Sequence, residues 1–209
     1  ISAISLFMAL GVLQWFPRPS WPRVSRWVGA SLLLLSLAAP LTAIRPAYAR
    51  PAILTADEIP VSARSYRADY GGAVRLLAYE MDHGPLQPDD ALSVTLYWQA
   101  LAPMDENYSV YIHIFGRGDI KLGQRDTYTG GGNYPNSLWA PGEIVRDRFL
   151  VPIEEEVDSP VAAEVEVGLY RLGTMRNLPV TDPQGNPVGR PVIGRVKVVP
   201  SDAGKGRGL

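Results

Sequence analysis

Alternation of apolar and polar residues with a period of two is the feature that most constrains this fold. It is clearest at residues 92–98, where Leu92, Val94, Leu96 and Trp98 are separated by Ser, Thr and Tyr. The same period recurs at residues 110–115 and 164–169. A strand with this pattern has one buried and one exposed face. Further strands are predicted at Val74–Glu80, Ile120–Asp126, Ile144–Pro152 and Val192–Val199.

Turn residues separate these segments, and no helical period lies between them. Two examples are Gln87-Pro88-Asp89-Asp90 and Pro141-Gly142-Glu143. The pattern predicts a mainly β chain that forms an antiparallel β-sandwich of immunoglobulin-like or jelly-roll type over residues 73–200. Residues 45–72, rich in Ala, Pro and Arg, are predicted to be a linker, and residues 201–209 a flexible tail.

Two uncharged apolar runs precede the linker, at residues 1–16 and 27–44. A helix that is apolar on every face must be buried in protein or in lipid. The basic connector between the runs carries Arg18, Arg23 and Arg26 and no acidic residue. We therefore predict a transmembrane helical hairpin over residues 1–44, with the lipid bilayer as a partner. Because residue 1 lies inside an apolar run, we interpret the chain as a piece of a longer protein.

The positive-inside rule places the basic connector in the cytoplasm and everything after Ile44 outside it. A second interpretation is a signal peptide, with Arg23 and Arg26 before the Leu-rich run and Ala47-Tyr48-Ala49 as the cleavage site. Both interpretations place the β domain outside the cytoplasm.

The charge balance and the lack of Cys exclude several classes of function. A formal net charge of −1 gives no concentrated basic surface for nucleic acid. Without Cys there is no disulfide, thiolate metal site or Cys nucleophile. The sequence also lacks a nucleotide-binding glycine motif, a Ser nucleophile elbow and a His-x-x-x-His pair. We therefore predict no catalytic residue, metal or cofactor in this chain.

The long stretch from Gln124 to Val151 contains the candidate binding site. It has three consecutive glycines at 130–132, followed by a Pro-rich loop. A loop of this length in a β domain is usually functional or disordered, and its large aromatic residues argue against disorder. The glycan-binding candidates are Tyr128, Asn133, Tyr134 and Trp139. The rings of Tyr128, Tyr134 and Trp139 can stack on sugars. In the alternative that we favour for Trp139, its ring closes the end of the core.

Asp147 shares strand parity with Val145, Phe149 and Val151, so we expect it to point inward. A buried carboxylate needs partners, and Arg125 or the amides of the glycine run can supply them. We predict that Arg125, Asp126 and Asp147 anchor the loop. A Ca²⁺ site at Asp126 and Asp147 is a weaker alternative. For His113, in mid-strand, a hydrogen-bonded sheet residue is favoured over a ligand or base.

Motifs along most of the chain resemble one family. They are Ala-Pro-Leu-Thr-Ala-Ile-Arg-Pro-Ala-Tyr-Ala at 39–49, Val-Arg-Leu-Leu-Ala-Tyr-Glu at 74–80, Leu-Ser-Val-Thr-Leu-Tyr-Trp-Gln-Ala at 92–100, Tyr-Ser-Val-Tyr-Ile-His-Ile at 108–114, Gly-Gly-Gly-Asn-Tyr-Pro-Asn-Ser-Leu-Trp-Ala-Pro-Gly-Glu at 130–143, Val-Gly-Leu-Tyr at 167–170 and Leu-Pro-Val-Thr-Asp at 178–182. This series resembles the C-terminal region of bacterial family-39 glycosyltransferases, which are similar to dolichyl-phosphate-mannose–protein mannosyltransferases. In such proteins a bundle of membrane helices is followed by an extracytoplasmic β-sandwich.

The resemblance implies a parent enzyme in the bacterial inner membrane that transfers a sugar from a polyprenyl-phosphate donor. The family's catalytic acidic residues lie in early loops of the membrane part, which this chain does not contain. The sandwich is then expected to be a non-catalytic accessory domain that binds a glycan or glycoprotein acceptor. The alternative is a membrane-tethered interaction domain that docks other membrane-protein subunits.

Overall fold

The structure is a computed structural model that describes residues 21–201. The chain divides into two compact units, with the boundary between Ala49 and Arg50. Helix α1, Trp21–Ala39, continues through a π-helical turn at Pro40–Ile44 and a last turn at Arg45–Ala47. The regular α-helical hydrogen bonding is interrupted at Pro40, which has no amide hydrogen to donate.

One helix among the described residues is long and apolar enough to cross a membrane, and it comprises the 24 residues Val24–Ala47. At 1.5 Å per residue it measures about 36 Å, against about 30 Å for a bilayer core. A membrane anchor and a signal sequence both have this form. The predicted run 27–44 is therefore confirmed as an apolar helix, while the predicted helix 1–16 lies outside the described residues.

The second unit is a two-sheet β structure, as predicted, and all of its strand pairs are antiparallel. The strands are β1 Ala52–Leu54, β2 Arg64–Tyr70, β3 Val74–Met81, β4 Ala91–Ala100, β5 Ser109–Phe115, β6 Lys121–Tyr128, β7 Ile144–Pro152, β8 Val161–Arg171, β9 Arg176–Asn177, β10 Val180–Thr181 and β11 Val192–Val198. The first sheet has the order β1-β7-β4-β3-β2-β10. The second has the order β11-β8-β5-β6, with β9 beside β8. The finer assignment to an immunoglobulin-like or jelly-roll fold stays a prediction.

The core lies between the two sheets and is built from the alternating residues that the sequence indicates. Leu92, Val94, Leu96 and Trp98 of β4 are fully buried. On the opposite sheet, the buried residues are Val110, Ile112 and Ile114 of β5 and Val165, Val167 and Leu169 of β8. Removing these apolar side chains from water is the main force that holds the sheets together.

The predicted linker at residues 45–72 is wrong from residue 52 onward. β1 pairs with β7, and β2 pairs with both β3 and β10, so these strands belong to the first sheet. β1 is too short to show a period. In β2 the register shifts between Ser65 and Ala68, where Arg67 has a φ of 52°. This bulge interrupts the alternation on which the prediction depends.

The connection from β1 to β2, residues 55–63, crosses the outer face of the first sheet, and we call it the strap. It must pass β7, β4 and β3, because β1 and β2 lie on opposite sides of these strands. Near its end, Ser62 donates a hydrogen bond of 2.6 Å to Glu80. The Tyr97 hydroxyl also donates to Glu80 at 2.6 Å, and Tyr97 is only 1% exposed although it lies on this outer face.

Candidate functional site

The connection between β6 and β7, residues 129–143, is an ordered structure, and we call it the glycine loop. Gly130, Gly131 and Gly132 have φ values of 62°, 63° and 93°. L-residues with a side chain are strained in this left-handed region, so the run of glycines permits the tight reversal. The Asn133 amide closes the turn by donating to the Gly130 carbonyl at 3.1 Å.

The two large aromatic residues of the glycine loop are buried. Tyr134 is 4% exposed and Trp139 is 3% exposed. Their rings are stacked, with centroids 6.3 Å apart and an angle of 29° between planes. The Trp139 indole donates to the Tyr134 carbonyl at 3.2 Å, and the buried Thr129 hydroxyl donates to the same oxygen. This packing accords with the interpretation in which Trp139 closes the core.

The Tyr134 hydroxyl is also fully engaged. It donates to the Glu143 carboxylate, whose oxygens lie 2.9 and 3.0 Å away. The Arg50 guanidinium lies over the ring, 5.2 Å from its centroid. Burial, and then the hydrogen bond to Glu143, raise the pKa of the Tyr134 phenol. Neither Tyr134 nor Trp139 offers a free face to a sugar. Tyr134 is therefore not the glycan-binding residue that the sequence suggests, and for Trp139 the structure matches the favoured interpretation, closure of the core.

The other two glycan-binding candidates, Tyr128 and Asn133, are half-buried. A residue that the sequence did not reveal, Asn136, is fully buried in the glycine loop and accepts a hydrogen bond from the Tyr108 amide at 3.2 Å. Nearby, Asn107 accepts from the Ser137 amide at 3.0 Å. An asparagine in a Pro-rich loop indicates a turn, so the sequence gives no signal for this buried role.

Asp147 points inward, as expected, and is 2% exposed. Both of its carboxylate oxygens lie 3.0 Å from the Gly130 amide, which donates to them. Burial raises the pKa of Asp147 to about 7, while the amides of Gly130 and Arg148 act in the opposite direction. Asp147 therefore connects β7 directly to the start of the glycine loop.

The other two predicted anchors lie elsewhere. Arg125 is exposed, and no ion pair of Arg125 is found within residues 21–201. Asp126 contacts His113 on the outer face of the second sheet, with 3.3 Å between Oδ1 and Nε2. The structure therefore does not bring Asp126 and Asp147 together as a Ca²⁺ site. Within the described residues no group of three or more His, Asp or Glu side chains is placed to bind a metal ion.

The outer face of the second sheet carries a cluster of aromatic rings, which we call the aromatic face. Its members are Tyr111, His113, Phe115, Tyr128 and Tyr170. Tyr111 and Tyr170 have centroids 6.3 Å apart, and His113 lies 4.8 Å from Tyr111 and 5.9 Å from Phe115. The cross-strand pairs Ser109↔Tyr128 and Ser109↔Tyr170 place the two outer tyrosines in one row.

Charged side chains border the aromatic face. Glu166 accepts a hydrogen bond from the Tyr111 hydroxyl at 3.2 Å and from Arg190 at 3.1 Å. Arg190 also pairs with Asp119 at 2.9 Å and lies over the Phe115 ring at 5.1 Å. These contacts fix the orientation of the rings.

His113 is a hydrogen-bonded sheet residue at the centre of the aromatic face. Its pKa is lowered, first of all by burial, and the nearby Asp126 carboxylate only partly offsets this effect. The imidazole is therefore neutral at pH 7, with Asp126 as its partner. A signal for the aromatic face exists in the sequence, because residues 111, 113 and 115 are all aromatic at positions that alternate with the buried residues of β5.

Comparison with known proteins does not assign the chain to a family. No protein-family model matches the chain, and no curated protein is significantly similar to it.

The geometry itself offers two surfaces for binding. One is the aromatic face, and the other is the end of the sandwich near the glycine loop.

Proposed function

We propose that this chain is the membrane-anchored, extracytoplasmic C-terminal part of a glycosyltransferase that uses a polyprenyl-phosphate-linked sugar. The motifs from residue 39 to residue 182 support the family. The order of elements supports the arrangement, because the apolar helix Val24–Ala47 precedes the two-sheet domain. In this proposal the domain is non-catalytic and binds the acceptor.

The observation that carries the binding role is the aromatic face. Tyr128, His113 and Phe115 are half-buried, so each ring retains accessible surface. Asp126 and Gln124 lie on the same side of β6 as Tyr128, because alternate residues of a strand share a face. Flat rings beside carboxylate and amide groups suit a sugar, whose ring has apolar faces and whose hydroxyls need hydrogen-bond partners.

A glycan array probed with the full chain in detergent tests the binding role. Tyr128→Ala removes a ring and is expected to weaken glycan binding about tenfold, whereas Tyr128→Phe retains the ring and binding. Asp126→Asn is expected to weaken binding, and Asp158→Asn, at an exposed turn, is its matched control. Equal binding by all four variants, or no binding by folded wild-type protein, would reject the aromatic face as the acceptor site.

Membrane anchoring is tested separately. The chain should remain in the membrane pellet after extraction with alkaline carbonate. Alkaline phosphatase, which is active only outside the cytoplasm, should be active when it is fused after Ser201. Release by carbonate would reject the anchor, and an inactive fusion would reject the orientation.

A second function, docking of membrane-protein subunits, is favoured by exposed aliphatic residues at one end of the sandwich. Leu138 of the glycine loop and Leu172 and Met175 of the β8–β9 hairpin are more than half exposed. They share an end because Tyr128 and Tyr170, which precede the loop and the hairpin, both pair with Ser109. A photocrosslinker at Met175 should then yield a discrete protein adduct in cells, and one at Val61 should not.

A further inference from the structure

A row of exposed residues on β7 forms an unpaired basic surface. Arg146, Arg148 and Leu150 are exposed, and the intervening residues of the strand are buried. All three side chains therefore lie on the outer face of the first sheet. The Arg50 guanidinium is engaged with the glycine loop, because it lies over the Tyr134 ring, 5.2 Å from its centroid.

Neither Arg146 nor Arg148 forms an ion pair within the described residues, whereas Arg75, Arg190 and Arg195 do. Arg146 lies near enough to Glu80 to help lower the pKa of that carboxyl, after the hydrogen bonds from Ser62 and Tyr97. The nearby carboxylates are engaged in other contacts. Glu80 accepts hydrogen bonds from Ser62 and Tyr97, and Glu143 accepts them from Tyr134 and Ala140. Asp147 is buried and bonded to the Gly130 amide.

Exposed aliphatic side chains accompany these arginines. Leu150 is 58% exposed, and Val61 on the strap, which crosses this outer face, is fully exposed. Arginines interspersed with exposed aliphatic groups are typical of protein surfaces that lie in the headgroup region of a bilayer. Ala52, which pairs with Arg146 of this row, follows Ala47, the last residue of the apolar helix, by only five residues.

We propose that Arg146, Arg148 and Leu150 form a surface that binds the anionic phospholipid headgroups of the bilayer. Guanidinium groups bind phosphate oxygens in a bidentate manner, which a bilayer rich in anionic lipid supplies at high density. Leu150 then enters the boundary between headgroups and acyl chains. This proposal rests on the proposed membrane anchoring, and it adds a specific lipid class and a specific surface.

The test uses the full chain in vesicles and exploits the absence of Cys. A single cysteine is introduced as Leu150→Cys and labelled with an environment-sensitive fluorophore. One set of vesicles contains only phosphatidylcholine, and the other also contains phosphatidylglycerol. In the anionic vesicles the emission should shift to the blue and be quenched by lipids with brominated chains. Each arginine is expected to raise the equilibrium constant for contact between this surface and the anionic bilayer about fivefold, and by less at high salt.

Two double variants distinguish the effect of this surface from the effect of the protein's net charge. Arg146→Gln with Arg148→Gln should abolish the shift. Arg117→Gln with Lys197→Gln removes the same charge from exposed positions that form no ion pair within residues 21–201, and it should leave the shift unchanged. An equal loss in both, or an identical signal in neutral and anionic vesicles, would overturn the proposal.

Carbonate extraction of the same vesicles distinguishes this failure from failure of the anchor. Protein that stays in the pellet with an unshifted label retains the anchor and rejects only the lipid-binding surface. Protein that is released rejects the anchor. The labelled protein is then added to preformed anionic vesicles, where a persistent shift supports the lipid-binding surface and an unshifted label rejects it.

Discussion

Both carboxylate oxygens of Asp147 lie 3.0 Å from the amide nitrogen of Gly130. The contact joins a core strand of the first sheet to the point at which the glycine loop reverses direction. Asp147 is buried, and it forms no ion pair within residues 21–201. Its charged form is therefore stabilised by amide dipoles alone, and burial raises its pKa to about 7.

This raised pKa predicts that Asp147 makes the stability of the sandwich depend on pH. The unfolded carboxyl ionises near pH 3.9, while the folded one holds its proton to about pH 7. Stability from this group is thus fully present below about pH 4 and is lost as the pH rises to about 7, by on the order of 4 kcal/mol. Urea denaturation of the full chain in detergent, followed by β-sheet circular dichroism, measures this loss.

Two variants at residue 147 separate charge from hydrogen bonding. Asp147→Asn still accepts from Gly130 and cannot ionise, so its stability relative to wild type should rise between pH 4 and pH 7. Asp147→Ala leaves the Gly130 amide unpaired and should be about 1–3 kcal/mol less stable than Asp147→Asn at every pH. A wild-type-minus-Asn difference that is flat with pH would show that Asp147 does not titrate in this range.

The neighbouring glycines predict a contrast between two identical substitutions. Gly130 and Gly131 have nearly the same φ, so alanine costs about 1 kcal/mol of backbone strain at either position. At Gly130 the new Cβ would also lie 2.8 Å from Cδ of Pro51, whereas at Gly131 it meets nothing within 4 Å. Gly130→Ala should therefore lower the denaturation midpoint clearly more than Gly131→Ala does. Equal midpoints would mean that the contact of the glycine loop with Pro51 contributes nothing.

The sequence predicts the parts of the fold that depend on local periodicity. β4, β5, β7 and β8 follow a period of two, and the structure buries the residues that this period selects, together with a few outer-face residues such as Tyr97 and Tyr111. The sequence predicts a linker where β1 and β2 lie, because the three residues of β1 carry no period and a bulge displaces the pattern of β2. Bulges arise from pairing with another strand, which a local pattern does not contain.

The candidate site also combines features that local sequence predicts with features that depend on distant residues. The inward position of Asp147 follows from strand parity, which is a local property. The burial of Tyr134 depends on Glu143 and on Arg50, which is 84 positions away in the chain. Whether a loop aromatic residue stacks on a ligand or closes the core is decided by such distant partners. The sequence alone is therefore compatible with both interpretations.

Tyr134 provides a test of that structural role. Tyr134→Phe keeps the stack on Trp139 and removes the hydrogen bond to the Glu143 carboxylate, so it should cost about 1–2 kcal/mol of stability. Tyr134→Ala also empties the space that the ring fills and should cost about 3–5 kcal/mol. Both are measured by urea denaturation. Glycan binding at the aromatic face should be unchanged in Tyr134→Phe. Weaker glycan binding in this variant would show that the glycine loop belongs to the binding site.

Gly168 is expected to be indispensable to the aromatic face because the Tyr111 ring occupies the space of its missing side chain. A Cβ at Gly168 would lie 2.2 Å from Cζ of Tyr111. Gly168→Ala must displace the ring from Glu166, and it should cost about 1–3 kcal/mol of stability. It should also weaken glycan binding, because the ring of His113 packs against Tyr111.

A double-mutant cycle identifies the ring as the cause. In a Tyr111→Ala background, where no ring opposes the new methyl group, Gly168→Ala should cost less than about 1 kcal/mol. Gly189→Ala is the matched control, since its added Cβ meets nothing within 4 Å. If Gly168→Ala costs the same in both backgrounds, its effect comes from the β8 backbone, and the close approach of Tyr111 to Gly168 does not organise the aromatic face.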